Sequence, residues 1–434
     1  MILFYLLVSI MPFVRHPFWS IFVGSLTLVK IAGLLCVGYA LFYATTRRSS
    51  PDYFRTWQAR LAVALCFMGM ASYVVIGSRI PFAISPFLSY ASFLAFFYIT
   101  LTVVDSVRRL RWILLVATGT MGYASLHVIR EWQNSGFDFG YRPGWVTGDP
   151  NYYTLSALLC LPLTFYLLRP RQPAWERYFC LACLGLTLGG VALAASRGGL
   201  LGLAASVLVV GWRARHRAKV MTAAVALLVP LMLLSPSSPV SRLFNPTFSD
   251  QHSADSRLIL WSAAVSMVQA SPILGVGVGN YKAALDRIHG PIKFSVAHNT
   301  YLEIAAELGL PGLAVFLGIF VMTFWSTERV RRAARRGGSP LVGRAAEAIQ
   351  VGLVGYAVGI VFVSAEYHKL FWLVVFLSAC LPALNRKRPA VRPWWARGSG
   401  RAESPEAVRH SAPPGVEPAE GSARTPGSGG VSSS

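Results

Sequence analysis

Charge is scarce in this chain. Only 13% of its 434 residues are Asp, Glu, Lys or Arg, about half of what a soluble domain carries. Acidic residues are the rarer kind, 18 against 40 Lys plus Arg, for a net charge of +22. A soluble fold of this length would lack the polar surface to face water, so an ordinary globular domain is excluded. Cysteine is also sparse: Cys36, Cys66, Cys160, Cys180, Cys183 and Cys380 all fall inside apolar runs, which excludes a disulfide framework. The single CxxC, Cys180 and Cys183, has neither a second pair nor a βαβ context and reads as two small buried hydrophobes. No GxxxxGK[ST], DxD or HExxH occurs, and the histidines lack ligand spacing. ATP binding by a P-loop and metal-dependent transfer therefore have no support, and the expected cofactor and metal complement is none. Gly275, Gly277 and Gly279 form GxGxG after a helix rather than GxGxxG after a strand, which is a turn where backbone packs closely, not a nucleotide fingerprint.

What the chain does have is apolar length. Hydrophobic residues make up 54% of it, and runs long enough to cross a bilayer recur along most of the sequence. Twelve candidates lie near 2–14, 19–44, 61–78, 83–104, 112–129, 152–168, 178–195, 199–212, 220–234, 300–325, 348–364 and 370–384. The expected fold is all-α, a polytopic transmembrane helix bundle of about 12 spans with one larger periplasmic loop containing short helices. Residues 1–14 lack a basic n-region and a small-residue cleavage site, so they read as a retained segment that either spans or lies in the interface.

Arginine sets the orientation. One set of loops carries Arg47, Arg48, Arg55 and Arg60; Arg108, Arg109 and Arg111; Arg169, Arg171 and Arg177; Arg213, Arg215 and Arg217; and Arg329 to Arg344. The intervening loops hold little more than Arg79, Arg197 or Lys369. This alternation predicts a multi-pass membrane protein with a cytoplasmic C-terminus. It also accounts for the positive charge without nucleic acid, for which no soluble basic module is present. The chain divides into an N-terminal bundle of about nine spans at 1–234, a periplasmic loop at 235–298, further spans at 299–384, and a basic Pro/Gly/Ser-rich tail at 385–434. That tail is too poor in aliphatic residues to build a core.

Function is expected at the outer ends of the spans. In the 235–298 loop, Ser253 or Asp255 can cap a helix over 256–270 that lies on the membrane surface and is ended by Pro272; a second short helix covers 281–289. Arg257 then falls in a first turn, against the helix dipole, where it calls for an anion or for a pair with Asp255 or Asp250. Arg197, in AASRGGL between two apolar runs, is costly at membrane depth unless it is paired, faces water or snorkels to lipid phosphate. His298, where the chain re-enters the bilayer, is either a proton acceptor near neutral pH or an interfacial cap. Thr300 and Glu303 fit a capping box, and Glu307, one turn deeper, calls for a basic partner. Asp149 and Asn151 in TGDPNYY start another span as a cap or as part of a site, with Arg130 and Arg142 adding positive potential nearby.

Read in order, DPNYY (149–153), SRGGLLGL (196–203), SRLILWSAAVSMVQASPILGVGVGNY (256–281) and AHNTYLEIAAELGLPGLAVFLGIF (297–320) resemble the O-antigen ligase and Wzy-type polymerase superfamily of bacterial polytopic membrane glycosyltransferases. The last segment is the most specific, because His298 and Gly309 reproduce the ligases' His, ten residues, Gly spacing. The resemblance implies transfer of a glycan from undecaprenyl diphosphate to lipid A-core, another glycan or a protein, on the periplasmic face and without a metal. In that reading Arg197 and Arg257 bind the diphosphate and offset leaving-group charge, and His298 is the general base. Asn299, Asp149, Asn151 and Glu307 complete the substrate-binding set. Trp261 stands four residues after Arg257, where some members carry Leu, and the short loop leaves little room for a large acceptor. The competing readings are a glycan polymerase, a protein O-glycan ligase and, in another class, a membrane solute transporter, for which the break at LGLPG (308–312) is the best feature.

Overall fold

A computed structural model describes residues 1–10, 22–23, 26–46, 52–77, 85–138, 141–144, 149–169, 172–214, short pieces between 216 and 229, 248–290 and 296–385. Residues 1–387 form one compact unit. A nine-residue helix α1 (Ile2–Ile10) and a minimal hairpin of β1 (Phe22–Val23) and β2 (Leu26–Thr27) precede the bundle. The bundle itself comprises α2 (Leu28–Thr46), α3 (Trp57–Ile76), α4 (Pro86–Val103), α5 (Val107–Asn134), α6 (Pro150–Leu167), α7 (Ala174–Ala194) and α8 (Arg197–Arg213). Two helices of the large loop follow, α9 (Phe248–Ala270) and α10 (Tyr281–His289), and then α11 (Thr300–Arg335), α12 (Pro340–Gly359) and α13 (Lys369–Leu384).

The expected all-helical bundle is present, and its helices begin where the sequence can satisfy orphaned backbone donors. Ser106, Asp149, Ser196 and Asn299 each accept a backbone N–H of the first turn they cap, and Pro86, Pro150 and Pro340 open helices where no N–H is needed. Six of the described helices are long and apolar enough to cross a membrane: α3, α4, α5, α7, α11 and α12. Two shorter apolar helices, Lys30–Thr46 and Lys369–Leu384, accompany them. Among the described residues, length and composition thus give six clear candidates, with shorter helices among them, toward the anticipated count of about twelve. At about 1.5 Å per residue α1 rises about 14 Å, too little to cross a hydrocarbon core. Most of the candidate at 220–234, the first part of the loop to residue 247 and the tail beyond 385 lie outside the described residues.

The centre of the bundle is α13, buried along nearly its whole length from Leu370 to Leu381. It is apolar all round and therefore belongs inside protein. Phe371 stacks on Tyr356 of α12 at 5.1 Å, and Trp372 stacks on Phe93 of α4 at 5.0 Å. Close helix contact between α8 and α12 depends on small residues: a methyl group at Gly202 would sit 2.6 Å from the Gly355 carbonyl oxygen. All six cysteines are buried and free.

The large loop folds onto the bundle. Leu260, Ala263, Ala264 and Met267 of α9 pack with Tyr281 and Leu285 of α10, Ala297, and Ala306 of α11 in a satellite core. The predicted helix is present, but it begins at Phe248 rather than near 256. Ser253 and Asp255 are therefore interior residues of the helix and not its caps, and Arg257 stands in the third turn rather than the first. A Ser or Asp within a helix costs only a few tenths of a kcal/mol to about 0.7, which the docking of the apolar face outweighs.

Candidate active site

The end of the bundle that holds His298 is assembled from turns, and each turn is locked by a polar side chain. Between α7 and α8 the chain reverses through two residues. Ala195 adopts a left-handed conformation (φ 46°) and Ser196 caps α8. The Ser196 hydroxyl also donates to Asn151 Oδ1 at 2.7 Å, and Arg142 Nη2 reaches the same oxygen at 3.4 Å while its Nε donates to the Ala194 carbonyl at 3.2 Å. DPN and SRGG are thereby tied together. Both glycines of SRGG are required by space: a methyl group at Gly199 would meet Thr154 Cγ2 at 2.1 Å, and one at Gly198 would meet Phe362 at 2.8 Å.

His298 is placed with comparable rigidity. Asn299 turns its Oδ1 back onto the Tyr301 and Leu302 N–H groups at 3.0 and 3.2 Å. Thr300 donates its N–H to the Ile360 and Val363 carbonyls at 3.0 and 3.2 Å and its hydroxyl to Val363 at 2.6 Å; Ala365 N–H returns a bond to that hydroxyl at 3.0 Å. On the other side, Trp261 Nε1 donates to the Ala297 carbonyl at 3.1 Å, and Glu303 accepts from Ala297 N–H at 3.3 Å and from the Ser364 hydroxyl. The predicted capping box is therefore displaced by one residue. Asn299 is the cap, Thr300 is bonded across to the α12–α13 connection, and Glu303 holds the residue ahead of His298. Between these anchors His298 takes φ 51°, a conformation that costs a non-glycine residue about 1–3 kcal/mol and persists only where its surroundings impose it.

Four residues from distant parts of the sequence act on one another electrostatically here. Burial and the positive charge of Arg257 press the His298 imidazole below its ordinary range, while Asp149 acts in the opposite sense. The imidazole is thus held neutral at pH 7 and able to accept a proton. Arg257 in turn is opposed by burial and by the like charge of Arg197 and supported by Asp149. Two guanidiniums acting on each other in a part-buried setting, with Asp149 the carboxylate that acts on Arg257, suit a polyanion that accepts hydrogen bonds. The second buried histidine, His368, is a core residue instead, with its nitrogens 3.0 and 3.2 Å from the hydroxyls of Ser156 and Tyr356.

Glu307 faces elsewhere. Gly309 (φ 70°) and Pro311 break α11 and deprive the carbonyls of Ala306 and Glu307 of their helical partners. Val276 and Gly277 supply those missing N–H groups at 2.8 and 3.1 Å, and the freed Leu310 N–H donates to Pro272 at 2.8 Å. The Glu307 carboxylate accepts the N–H of Tyr281 at 3.2 Å, at the start of α10. Gly275 (φ 68°) must be glycine, since a methyl group there would lie 2.5 Å from the Glu307 backbone. The GVGVG turn is thus a backbone plug in a broken helix. Sequence reasoning anticipated its close packing but not what it packs against. The contributions of Ser196, of Trp261 and of the 360–365 segment were also missed; the only signal for the last was the polar VSAEYHK stretch between two apolar runs.

Residues 182–317 match the family model described as O-antigen ligase, and this match supports the O-antigen ligase and polymerase superfamily. The matched segment contains Arg197, Arg257, His298 and Gly309. No curated protein matches the chain.

Proposed function

We propose that this chain, which belongs to the O-antigen ligase and polymerase superfamily, transfers a glycan from undecaprenyl diphosphate to an acceptor hydroxyl on the periplasmic face of the bacterial inner membrane. The coarser statement, a multi-pass membrane enzyme of the O-antigen ligase or polymerase type, rests on the family match together with the apolar helices. The observation that carries the finer one is the convergence of Asp149, Arg197, Arg257 and His298, residues of four separate segments whose charges act on one another.

In this reading Arg197 and Arg257 hold the diphosphate. His298 removes the proton from the acceptor hydroxyl, the acceptor oxygen bonds to the anomeric carbon from the face opposite the diphosphate, and the bond between that carbon and the diphosphate oxygen breaks. The electron pair leaves on undecaprenyl diphosphate, where the guanidiniums offset the growing charge. The product is inverted at the anomeric carbon, and the proton rests on His298. Asp149 favours the charged imidazolium formed in that step, while Asn151, through Ser196 and Arg142, holds the Arg197 turn. Asn299 and Glu307 support the frame: their side-chain oxygens are given to backbone N–H groups around the site.

A solute transporter is the weaker reading. The break in α11 that favoured it has its orphaned carbonyls filled by Val276 and Gly277, so it offers a substrate no open helix end. The experiment is transfer in proteoliposomes loaded with undecaprenyl diphosphate-linked glycan and candidate acceptors. Release of undecaprenyl diphosphate with product formation is expected from the wild type and not from His298→Ala. Equal turnover by the two proteins removes the proposed base, and the identity of the acceptor consumed separates ligase from polymerase.

A further inference from the structure

At the opposite end of the bundle, the start of α3 and the last turns of α11 and α13 enclose a cavity of about 300 Å³. Its polar residues Thr56 and Gln58 are buried. Gln58 gives its Nε2 to Ser378 Oγ at 3.4 Å. Its Oε1 and the Thr56 hydroxyl have no hydrogen-bond partner among the described residues. Two such atoms in the lining of one cavity are uncommon in a folded protein, where buried polar groups are nearly always satisfied.

The rest of the lining has a definite chemistry. Arg55 and Arg329 are exposed, and so are Trp57 and Trp325. The Arg329 guanidinium lies 3.5 Å over the Trp325 ring. Among the described residues that line the cavity there is no carboxylate. Glu328, next to Arg329 in the chain, is occupied by Arg331 and Arg332 at 2.7 Å each. Exposed tryptophans beside arginines at the ends of apolar helices mark the level of lipid headgroups. A basic pocket between helices at that level takes an anionic headgroup.

We propose that this cavity binds the glycerol phosphate headgroup of an anionic phospholipid. Arg55 and Arg329 contact the phosphodiester, a headgroup hydroxyl donates to Gln58 Oε1, and the Thr56 hydroxyl bonds a phosphate oxygen. The volume admits a headgroup and not a whole lipid, so the acyl chains run outward past Trp57 and Trp325 along the bundle. The site is independent of the chemistry proposed at His298 and adds a lipid contact at the far end of the same molecule.

The test uses the full chain in nanodiscs of equal dioleoyl phosphatidylglycerol and dioleoyl phosphatidylcholine, with native mass spectrometry counting the lipids retained after release. The wild type should keep one phosphatidylglycerol in preference to phosphatidylcholine. The double variant Arg55→Gln, Arg329→Gln should lose that molecule with roughly tenfold weaker retention. Both arginines are exposed, so folding is expected to survive. Gln58→Leu provides an independent reading, since it should erase the preference for phosphatidylglycerol over phosphatidic acid, which has no headgroup hydroxyl. The proposal is overturned if the wild type keeps both lipids equally, or if the double variant retains phosphatidylglycerol as the wild type does. It is also overturned if millimolar glycerol 1-phosphate displaces the lipid, which would make the site one for a soluble phosphate.

Discussion

The two ends of the bundle handle positive charge in opposite ways. At the end away from His298, arginines are numerous, and several are answered by partners on the same helix or a neighbouring one. Arg109 meets Asp105 at 2.9 Å and the Tyr43 hydroxyl at 2.8 Å, Arg111 and Arg169 share Glu176, and Arg331 and Arg332 share Glu328. The most exposed of these, Arg332 with Glu328, is of a kind that contributes about 0–1 kcal/mol, whereas Glu176 is buried and needs its arginine partners. At the His298 end the arginines are few and come from distant segments, Arg197 opposes Arg257, and the backbone is held at positive φ at Ala195 and His298. Unfavourable electrostatics and local strain together, maintained by a rigid frame, are the features on which the proposed diphosphate site rests.

The sharpest way to break that contrast is to remove the base. His298→Ala should lower the transfer rate by about 10²–10⁴-fold with the thermal transition in detergent little changed, since Asn299 and Thr300 keep their own bonds. A rate within threefold of wild type sinks the role. Arg257→Gln should cost about 10²–10³-fold in turnover if the guanidinium stabilises charge in the transition state.

The same two neighbours predict opposite movements of the pH profile, which a merely structural role would not produce. His298 must be neutral to accept a proton, so activity is retained at neutral pH and is lost as pH falls through its depressed pKa. Arg257 lowers that pKa and Asp149 raises it. The acid limb of kcat/KM should therefore move to higher pH in Arg257→Gln and to lower pH in Asp149→Asn. Asn remains a good helix cap, so α6 is preserved in the second variant. Movement of both limbs in one direction refutes the arrangement.

Much of the bundle was legible because apolar runs, Gly–Pro breaks and cap residues act locally. Asp149, Arg197 and His298 stood out for the same reason, as polar residues where a span begins or ends, and Arg257 as a cation at the start of an apolar run in a helix of the large loop. The joints between them were not legible. The bond from Ser196 to Asn151 spans 45 residues and the one from Thr300 to Val363 spans 63, and no period or spacing encodes such a pairing. Asn299 displaced Thr300 as cap because the threonine hydroxyl had a partner on another segment. Glu307 was read as seeking a cation when it was placed to receive the Tyr281 N–H group. Gly309→Ala tests the most legible of these features: with φ 70° and a methyl group placed 2.3 Å from the Ile273 carbonyl oxygen, it should destabilise the protein by about 2 kcal/mol or more. A correspondingly lower melting temperature is expected, and an unchanged one would mean the turn can move off α11 without cost.

The smallest expected effect is the control on the other side of the comparison. Arg332 lies on the last turns of α11 with its side chain 69% exposed, bonded to Glu328 one helical turn away. Arg332→Gln removes a pair of a kind worth about 0.3–0.5 kcal/mol, and Glu328 keeps its two bonds from Arg331. Transfer rate and pH profile should be those of the wild type, and the change in melting temperature should be a degree or so. If this variant instead loses activity as Arg257→Gln does, then loss of any arginine disables the protein, and charge at the His298 end has no special claim. If it is silent while Arg257→Gln is not, the distinction rests on where the guanidinium stands and what it faces, because the two substitutions remove the same chemical group.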